Sequence, residues 1–153
     1  MIVVLGSINA DQIGVVERLP VAGETVLGTS FRLEAGGKGA NQALAARRAG
    51  AEVALFGAVG NDHFAKVAQE LMRRDGVDLA GVEVSAVNTG IAIIVVDAVG
   101  ENQIAVLPGA NGTIGVAAVR RAIEHCEAEG VLVLQQEIPA AATTCVTCCP
   151  KPR

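Results

Sequence analysis

Blocks of apolar residues, separated by short polar or glycine-containing segments, predict strands and helices in turn along the chain. Residues 62–74 carry the clearest helical period, with apolar side chains at i, i+3, i+4, i+7 and i+8. These side chains are Phe64, Val67, Ala68, Leu71 and Met72. Asn61 or Asp62 can cap the start of this helix, and Gly76 can end it. The other predicted elements are strands at 1–8, 12–17, 26–34, 52–58, 82–86, 90–98, 103–107 and 130–135, and helices at 39–49 and 113–125.

The order of these elements predicts an α/β fold. Strands that alternate with helices form a parallel sheet flanked by helices. The segments 12–17, 26–34, 90–98 and 103–107 do not fit this alternation, and the last two read as a hairpin joined by Gly100-Glu101-Asn102. They suit a small β-lid standing off the main sheet, with its strands within about 11–34 and 90–107.

Residues 36–41 read Gly-Gly-Lys-Gly-Ala-Asn, follow a predicted strand and open an alanine-rich helix. Adjacent glycines leave bare backbone where a ligand could approach, and the start of a helix supplies unpaired N–H donors. Lys38 adds a mobile cation, and Asn41 adds an amide that both donates and accepts hydrogen bonds. The segment therefore predicts a site for a small, polar, oxygen-rich ligand. The alternative is a tight turn that only starts the helix.

Polar residues follow the first predicted strand, where Gly6-Ser7-Ile8 leads into Asn9-Ala10-Asp11. In an α/β sheet, residues just past the carboxyl end of a strand stand in the ligand crevice. Asn9 and Asp11 would place an amide and a carboxylate there, a pair that can hold adjacent hydroxyl groups of a polyol. The alternative is an Asx-turn that ends the strand.

A second carboxylate, that of Glu137, follows the predicted strand at 130–135 and is expected at the same crevice. In the predicted lid, Ala92 and Ile94 share one face of a strand, and Val106 lies on its partner. This apolar face could lie against the C–H side of a furanose. The alternatives are a surface carboxylate for Glu137 and ordinary core packing for the lid residues.

Composition limits the class of partner. The 153 residues are enough for one domain, and the hydrophobic content of 51% with only 2% aromatics predicts a core of Ala, Val, Leu and Ile. Each apolar run falls short of the roughly 20 residues of a membrane helix, and no secretory signal is predicted. The net charge of −4 argues against a nucleic-acid partner. We therefore expect a cytoplasmic protein that binds a small molecule, with no nucleic acid and no membrane.

The composition changes abruptly after Pro139, and residues 140–153 show neither a helical nor a strand period. This segment holds three of the four cysteines, Cys145, Cys148 and Cys149. Half of a zinc site is one interpretation, but four ligands are needed and a second pair is not evident, so no metal site is predicted. The other interpretation is a disordered or aberrant cysteine-rich tail after a folded region at 1–139.

Five sequence blocks stand in a characteristic order. They are Gly-Ser-Ile-Asn-Ala-Asp at 6–11, Pro-Val-Ala-Gly-Glu-Thr at 20–25, Gly-Gly-Lys-Gly-Ala-Asn at 36–41, Gly-Ala-Val-Gly-Asn-Asp at 57–62 and Pro-Gly-Ala-Asn at 108–111. Together they resemble the ribokinase-like (phosphofructokinase-B) family of carbohydrate kinases over roughly residues 1–139. The resemblance implies that family's parallel sheet with a small β-lid.

The resemblance also implies a function: ATP-dependent phosphorylation of D-ribose at its 5-hydroxyl, with ATP, Mg²⁺ and a monovalent cation as the family's cofactors. The positions that hold the sugar hydroxyls in the family match Asn9, Asp11, Gly37, Lys38, Asn41 and Glu137. The expected substrate site also includes Ala10, Gly39 and Ala40 from the two motifs, with Ala92, Ile94 and Val106 as lid contacts. Family members pair their lids across a dimer, so a homodimer through the lid is expected.

The phosphoryl-transfer part of the family's pattern has no match in the chain. A Gly-Ala-Gly-Asp-type turn supplies the family's catalytic aspartate, whereas Gly109-Ala110-Asn111-Gly112 carries no acid, and a Walker-type phosphate loop is also missing. We therefore expect a truncated chain without the C-terminal half, without nucleotide or metal sites, and inactive alone. An unpaired apolar sheet edge near 131–135 should follow. The alternatives are a non-catalytic sugar-binding or dimerising fragment, and a product with no function.

Overall fold

The computed structural model describes residues 1–144, which form two four-stranded sheets. The strands are β1 (Ile2–Leu5), β2 (Asn9–Val16), β3 (Gly28–Gly36), β4 (Val53–Gly60), β5 (Asp78–Ser85), β6 (Gly90–Val96), β7 (Asn102–Leu107) and β8 (Val131–Leu134). The helices are α1 (Lys38–Arg48), α2 (His63–Asp75), α3 (Val116–His125) and α4 (Ala140–Thr144), with a 3-10 helix at Gly109–Thr113. The main sheet has the order β5-β4-β1-β8 and is parallel throughout.

Side chains of the two central strands, β1 and β4, alternate between two hydrophobic cores. Val3 and Leu5 pack with Val119 of α3 on one face of the sheet. Val4 packs with Met72 of α2 on the opposite face, in a core that also includes residues of α1. This period of two places helices on both faces of a parallel sheet. The predicted α/β fold with a parallel sheet flanked by helices is therefore confirmed.

The second sheet has the order β3-β2-β6-β7 and is the predicted β-lid. Strand β2 runs antiparallel to β3 and parallel to β6, and β6 forms an antiparallel hairpin with β7. Asp97 stabilises the hairpin turn, because its Oδ1 accepts hydrogen bonds from the backbone N–H groups of Val99 and Glu101, each at 3.0 Å. Gly100 adopts a positive φ of 88° in this turn.

Helix α2 begins and ends where the sequence predicts. Asp62 is the N-cap, and its Oδ1 accepts a hydrogen bond from the backbone N–H of Ala65 at 3.0 Å. Gly76 adopts the left-handed conformation at the C-terminus, with φ 78°. Both ends could be predicted from the local sequence, because an N-cap favours residues such as aspartate and a left-handed C-terminus favours glycine.

The same Asp62 ties α2 to the lid. Its Oδ2 accepts a hydrogen bond from the backbone N–H of Thr89 at 2.7 Å, and its Oδ1 accepts one from the Thr89 hydroxyl at 2.8 Å. Thr89 Oγ1 in turn accepts a hydrogen bond from the backbone N–H of Gly60 at 2.9 Å. Burial opposes the ionisation of Asp62, but these bonds outweigh it and hold the pKa of Asp62 below its ordinary value. Asp62 therefore anchors the strand β6 where the chain enters the lid.

We expect Asp62→Ala to lower the free energy of unfolding by about 2 kcal/mol, because it removes a helix cap and leaves the Thr89 N–H without its acceptor. Asn61→Ala, at the exposed neighbouring position, is the control and should change stability little. Urea unfolding of both variants at pH 7 measures the difference. Because the pKa of Asp62 is lowered on folding, its contribution should fade as pH falls through that pKa. Equal stabilities of the two variants would contradict the anchoring role.

Several predicted boundaries differ from the structure. Strand β1 ends at Leu5, because residues 6–8 leave the main sheet and enter the lid, where β2 begins at Asn9. Strand β5 begins at Asp78 rather than near residue 82, because pairing with β4 overrides the weak strand pattern of its first residues. The helix predicted at 113–125 divides into the 3-10 helix and α3, which begins at Val116.

The tail prediction is wrong for residues 140–144. These residues form α4, and Ala142 is buried in the core beneath α3. Small side chains suit this close packing, although they give no helical period in the sequence. The cysteines Cys145, Cys148 and Cys149, and with them the predicted disorder of the tail, lie outside the described residues.

Strand β8 lies at the edge of the main sheet within residues 1–144, as predicted. It pairs with β1 on one side, and the side chain of Val131 is 55% exposed. All four residues of this edge are apolar.

In the part of the chain that the structure describes, no helix is both long enough and apolar enough to cross a bilayer.

Candidate functional site

A cleft of about 180 Å³ lies between the lid and the start of α1. Its lining includes nine of the residues predicted from the sequence: Asn9, Asp11, Gly37, Lys38, Asn41, Ala92, Ile94, Val106 and Glu137. Asn9 and Asp11 lie just beyond the carboxyl end of β1, and Glu137 lies just beyond the neighbouring strand β8. The polar groups therefore converge at the carboxyl edge of the parallel sheet, where α/β proteins bind ligands.

Three predicted site residues do not line the cleft. The reason is the same at each position: the protein interior occupies the space beside the residue. Ala10 alternates to the opposite face of β2 from Asp11 and is buried in the core, as is Ala40 of α1. A Cβ atom at Gly39 would lie 2.6 Å from the backbone nitrogen of Ser7. These positions therefore support the site by close packing.

The carboxylate of Asp11 sits in a crowded row of the lid sheet, in register with Glu34 on β3 and Ala92 on β6. Burial raises the pKa of the Asp11 carboxyl above its ordinary value of 3.8, and the carboxylates of Glu34 and Glu137 raise it further against the opposing effect of Lys38. A Cβ atom at Gly36 would lie 2.2 Å from the Asp11 carboxylate. Gly36 therefore makes room for this carboxylate at the rim of the cleft.

Lys38 and Glu137 form an ion pair across the cleft. The Lys38 side chain is 71% exposed, whereas Glu137 also accepts a hydrogen bond from the Ser7 hydroxyl at 3.0 Å. Burial opposes the ionisation of Glu137, but the bonds from Lys38 and Ser7 outweigh it, so the pKa of Glu137 lies below its ordinary range. The pair offers a ligand both a carboxylate acceptor and an ammonium donor.

The start of α1 does not offer the free N–H donors that the sequence suggested. Ser7 takes two of them: its Oγ accepts from the backbone N–H of Gly39 at 3.4 Å, and its carbonyl oxygen accepts from that of Ala40 at 3.0 Å. Gly37 adopts a φ of 94°, and a Cβ atom there would lie 2.7 Å from the backbone of Ser7 and Asn9. The glycine-rich segment therefore holds α1 against residues 7–9.

Asn111 and Gln135 support the site, and neither was assigned this role from the sequence. The side chain of Asn111 is buried and bonds to Ile8 and Asn9, and Gln135 Oε1 accepts a hydrogen bond from the backbone N–H of Ser7 at 3.1 Å. Asn111 lies in the Pro-Gly-Ala-Asn block at 108–111, and this block was the one sequence signal that could have pointed to it.

Ile104 is a further residue that lines the cleft and was not predicted from the sequence. It lies two positions before Val106 on β7, so strand alternation could have identified it.

A larger depression of about 590 Å³ lies beside α2 and β5. Three of its polar side chains are already bonded within the protein: Arg73 donates to Gln69 at 2.7 Å, and Asp62 accepts from the Thr89 hydroxyl at 2.8 Å. The smaller cleft brings acceptors and donors from β2, α1 and the segment after β8 to one place. The smaller cleft is therefore the stronger candidate site.

Two further features of the described residues concern metal ions and phosphate groups. Among residues 1–144, no group of three or more His, Cys, Asp or Glu side chains is placed to hold a metal ion. The N-terminus of α1, where a phosphate could bind, is occupied by Ser7.

The sequence model of the "pfkB family carbohydrate kinase" matches residues 1–151. The chain therefore belongs to the pfkB family of carbohydrate kinases, in agreement with the parallel sheet, the β-lid and the cleft between them.

Within this family, the chain is similar to proteins named ribokinase. It is 44% identical over 139 residues to a ribokinase of Bacillus subtilis (strain 168), covering 90% of this chain and 47% of the relative. A ribokinase structure from Thermotoga maritima superposes with a TM-score of 0.84 at 31% identity, covering 96% of this chain and 49% of that one. A ribokinase of Arabidopsis thaliana, solved as a complex with ribose and ATP, superposes with a TM-score of 0.74 at 32% identity, covering 95% of this chain and 49% of that one. The chain thus spans about half the length of the relatives it matches.

Proposed function

We propose that this chain is the sugar-binding part of a ribokinase-type carbohydrate kinase and that its cleft binds D-ribose. The observation that carries the proposal is the convergence of Asn9, Asp11 and the Lys38–Glu137 pair beneath an apolar face of the lid. Carboxylates accept hydrogen bonds from sugar hydroxyls, and the amide and ammonium groups donate to hydroxyl oxygens. The apolar lid residues Ala92, Ile94 and Val106 can cover the C–H face of a furanose.

For a complete kinase of this family, we propose the ATP-dependent phosphorylation of D-ribose to ribose 5-phosphate. Phosphoryl transfer requires a nucleotide cradle, charge stabilisation and a base beside the attacking hydroxyl. The carboxylates of this cleft, Asp11 and Glu137, are assigned to hydroxyl binding. We therefore propose that the 153-residue chain binds sugar and does not turn over ATP by itself, with ATP, Mg²⁺ and a monovalent cation bound elsewhere in a complete kinase. A cytoplasmic location, where ATP is supplied, belongs to the same proposal.

The experiment is a titration of the purified 153-residue chain with D-ribose by calorimetry, with D-xylose as the comparison sugar, alongside an ATP-turnover assay with D-ribose. We expect saturable heat with D-ribose, weaker heat with D-xylose, and no turnover. Absence of saturable D-ribose binding would overturn the proposed sugar site. Turnover that is lost in Asp11→Ala would instead overturn the proposal that the chain is not catalytic alone.

A second candidate function is a dimer-forming module, which the exposed apolar side chains of the lid favour. Ile93 and Leu107 on one face of the β6–β7 hairpin, and Ile104 and Val106 on the face that lines the cleft, are each between 44% and 54% exposed. A small sheet with apolar residues exposed to solvent is typical of an interaction surface. We propose that two copies of the chain associate through these apolar side chains of the β6–β7 hairpin.

Sedimentation velocity between low and high micromolar concentrations tests the association. We expect a concentration-dependent dimer, and we expect Ile93→Lys on β6, on the hairpin face opposite the cleft, to shift it towards monomer, because the substitution places a charge among the apolar side chains. Val99→Lys, at the exposed turn of the same hairpin, is the matched control and should leave the dimer intact. A chain that stays monomeric at high micromolar concentration contradicts the lid dimer.

A further inference from the structure

The amide of Asn111 is locked by the backbone of the segment that joins β1 to the lid. Its Oδ1 accepts a hydrogen bond from the backbone N–H of Ile8 at 2.9 Å, and its Nδ2 donates to the carbonyl oxygen of the same residue at 3.0 Å. A backbone N–H can only donate and a carbonyl can only accept. The orientation of the Asn111 amide is therefore dictated by groups that cannot exchange roles.

This orientation is passed on to Asn9. The Nδ2 group of Asn111 also donates to Asn9 Oδ1 at 2.7 Å, which uses the acceptor of the Asn9 amide. Asn9 lines the cleft, so the group that its amide can direct to a ligand is the Nδ2 donor. A chain of bonds from the Ile8 backbone through Asn111 thus determines whether Asn9 donates or accepts.

Close packing holds the two amides together. A Cβ atom at Gly90 would lie 2.3 Å from Asn111 Nδ2 and 2.4 Å from Asn9 Oδ1, so the first residue of β6 covers their hydrogen bond. The side chain of Asn111 is only 1% exposed, and water cannot easily replace either partner. Turning the Asn9 amide over would place its Nδ2 donors against those of Asn111, which costs about as much as leaving a buried donor unsatisfied.

We propose that Asn111 is a positioning residue that fixes the polarity of the cleft, so that Asn9 presents a hydrogen-bond donor beside the acceptor of Asp11. Such a pair selects a ligand that offers an acceptor oxygen to Asn9 and an O–H donor to Asp11, which two neighbouring hydroxyl groups of a sugar do. The inference rests on the proposed function for the identity of the ligand, but the orientation of Asn9 is a property of the free protein.

The first measurement needs no ligand. Nuclear magnetic resonance can follow hydrogen exchange of the two side-chain amides in the free 153-residue chain. Both hydrogens of Asn111 Nδ2 are bonded inside the protein, so we expect them to exchange about tenfold or more slowly than those of Asn9. Slower exchange of Asn9 than of Asn111 would mean that Asn9 is bonded through its own N–H groups and would overturn the proposal.

The second measurement uses Asn111→Asp, which keeps the size of the side chain and the acceptor for the Ile8 N–H but removes both bonds that Nδ2 donates, to Asn9 and to the Ile8 carbonyl. The Asn9 amide should then turn to donate to the new carboxylate, so its hydrogens should become protected and D-ribose affinity should fall about tenfold or more. Asn88→Asp, the same substitution at an exposed position, is the control and should change neither quantity. Unchanged Asn9 exchange in a folded Asn111→Asp variant would overturn the proposal.

The two measurements separate this proposal from the proposed function. If the unmodified chain does not bind D-ribose, the proposed sugar site fails, while the exchange rates in the free protein still decide the orientation of Asn9. If D-ribose binds and slows exchange of the Asn9 amide, both proposals are supported. If D-ribose binds with no effect on the Asn9 amide, the sugar site stands and the donor role of Asn9 is overturned.

Discussion

Replacing Gly37 with alanine is expected to lower the free energy of unfolding by roughly 3–5 kcal/mol, enough to unfold much of a marginally stable domain. Two costs combine at this position. The φ of 94° is unfavourable for any residue with a Cβ atom, and that atom would lie 2.7 Å from the backbone nitrogen of Asn9 and the carbonyl oxygen of Ser7. Backbone atoms cannot move aside as a flexible side chain can, so helix α1 would have to shift away from residues 7–9.

Gly50 offers a matched control because it has the same φ of 94° with no heavy atom within 4 Å of the position of a Cβ atom. Gly50→Ala should therefore show only the conformational cost, about 1–2 kcal/mol. Urea unfolding of the two variants separates the clash from the backbone strain. Equal destabilisation by both substitutions would mean that the close approach of α1 to residues 7–9 is not as the structure shows it.

The elements that the sequence predicted well depend on neighbouring residues. Helix α2 has its apolar period, its cap at Asp62 and its terminating Gly76 within one short segment, and the β6–β7 hairpin has its turn at Gly100. The convergence of Asp11 and Glu137 also followed from the sequence, because the carboxyl ends of parallel strands meet at one edge of a sheet. Local patterns together with one topological rule were sufficient for these features.

The role of the glycines could not be predicted because it depends on which backbone segments meet. The sequence suggested that Gly36 and Gly37 leave room for a ligand. In the structure, the Asp11 carboxylate fills the space beside Gly36, and the backbone of residues 7–9 fills the space beside Gly37. A missing Cβ atom shows that something approaches closely, but it does not show what.

The supporting residues of the site were missed for a similar reason. Asn111 and Ile8 are separated by 103 positions, and Gln135 and Ser7 by 128. A single buried asparagine has no periodic signature, and its partners are backbone groups that every residue carries. Its block at 108–111 marked it as part of a motif without indicating what it bonds.

Substitution of Asp11 is expected to separate ligand binding from stability. Asp11→Ala should weaken D-ribose binding by roughly 1–3 kcal/mol, because sugar hydroxyls lose their acceptor inside the cleft. Asp11→Asn keeps the shape that packs against Gly36 but retains only one acceptor oxygen, so its affinity should also fall. Neither change should lower stability much at neutral pH, because ionised Asp11 lies close to the carboxylates of Glu34 and Glu137. Calorimetry with D-ribose and urea unfolding of the same samples measure both quantities.

The pH dependence provides a sharper test of the role of Asp11. Its pKa is raised above 3.8 on folding, so its ionisation reduces stability as pH rises through the raised pKa. The ionised form is the one that accepts hydrogen bonds from the sugar through both oxygens, so D-ribose affinity should be full above that pKa and should fall as pH drops through it. Folding and binding thus favour opposite protonation states of the same carboxyl group.

Glu34→Gln is the matched variant for this test, because it removes a neighbouring charge without removing a residue that lines the cleft. With less repulsion, the pKa of Asp11 should decrease, and the fall in D-ribose affinity should move to lower pH. In Asp11→Asn the same fall should be absent, leaving a low affinity that depends little on pH in this range. An acid-dependent loss of affinity that is identical in all three proteins would assign the titration to another group and remove Asp11 from the centre of the site.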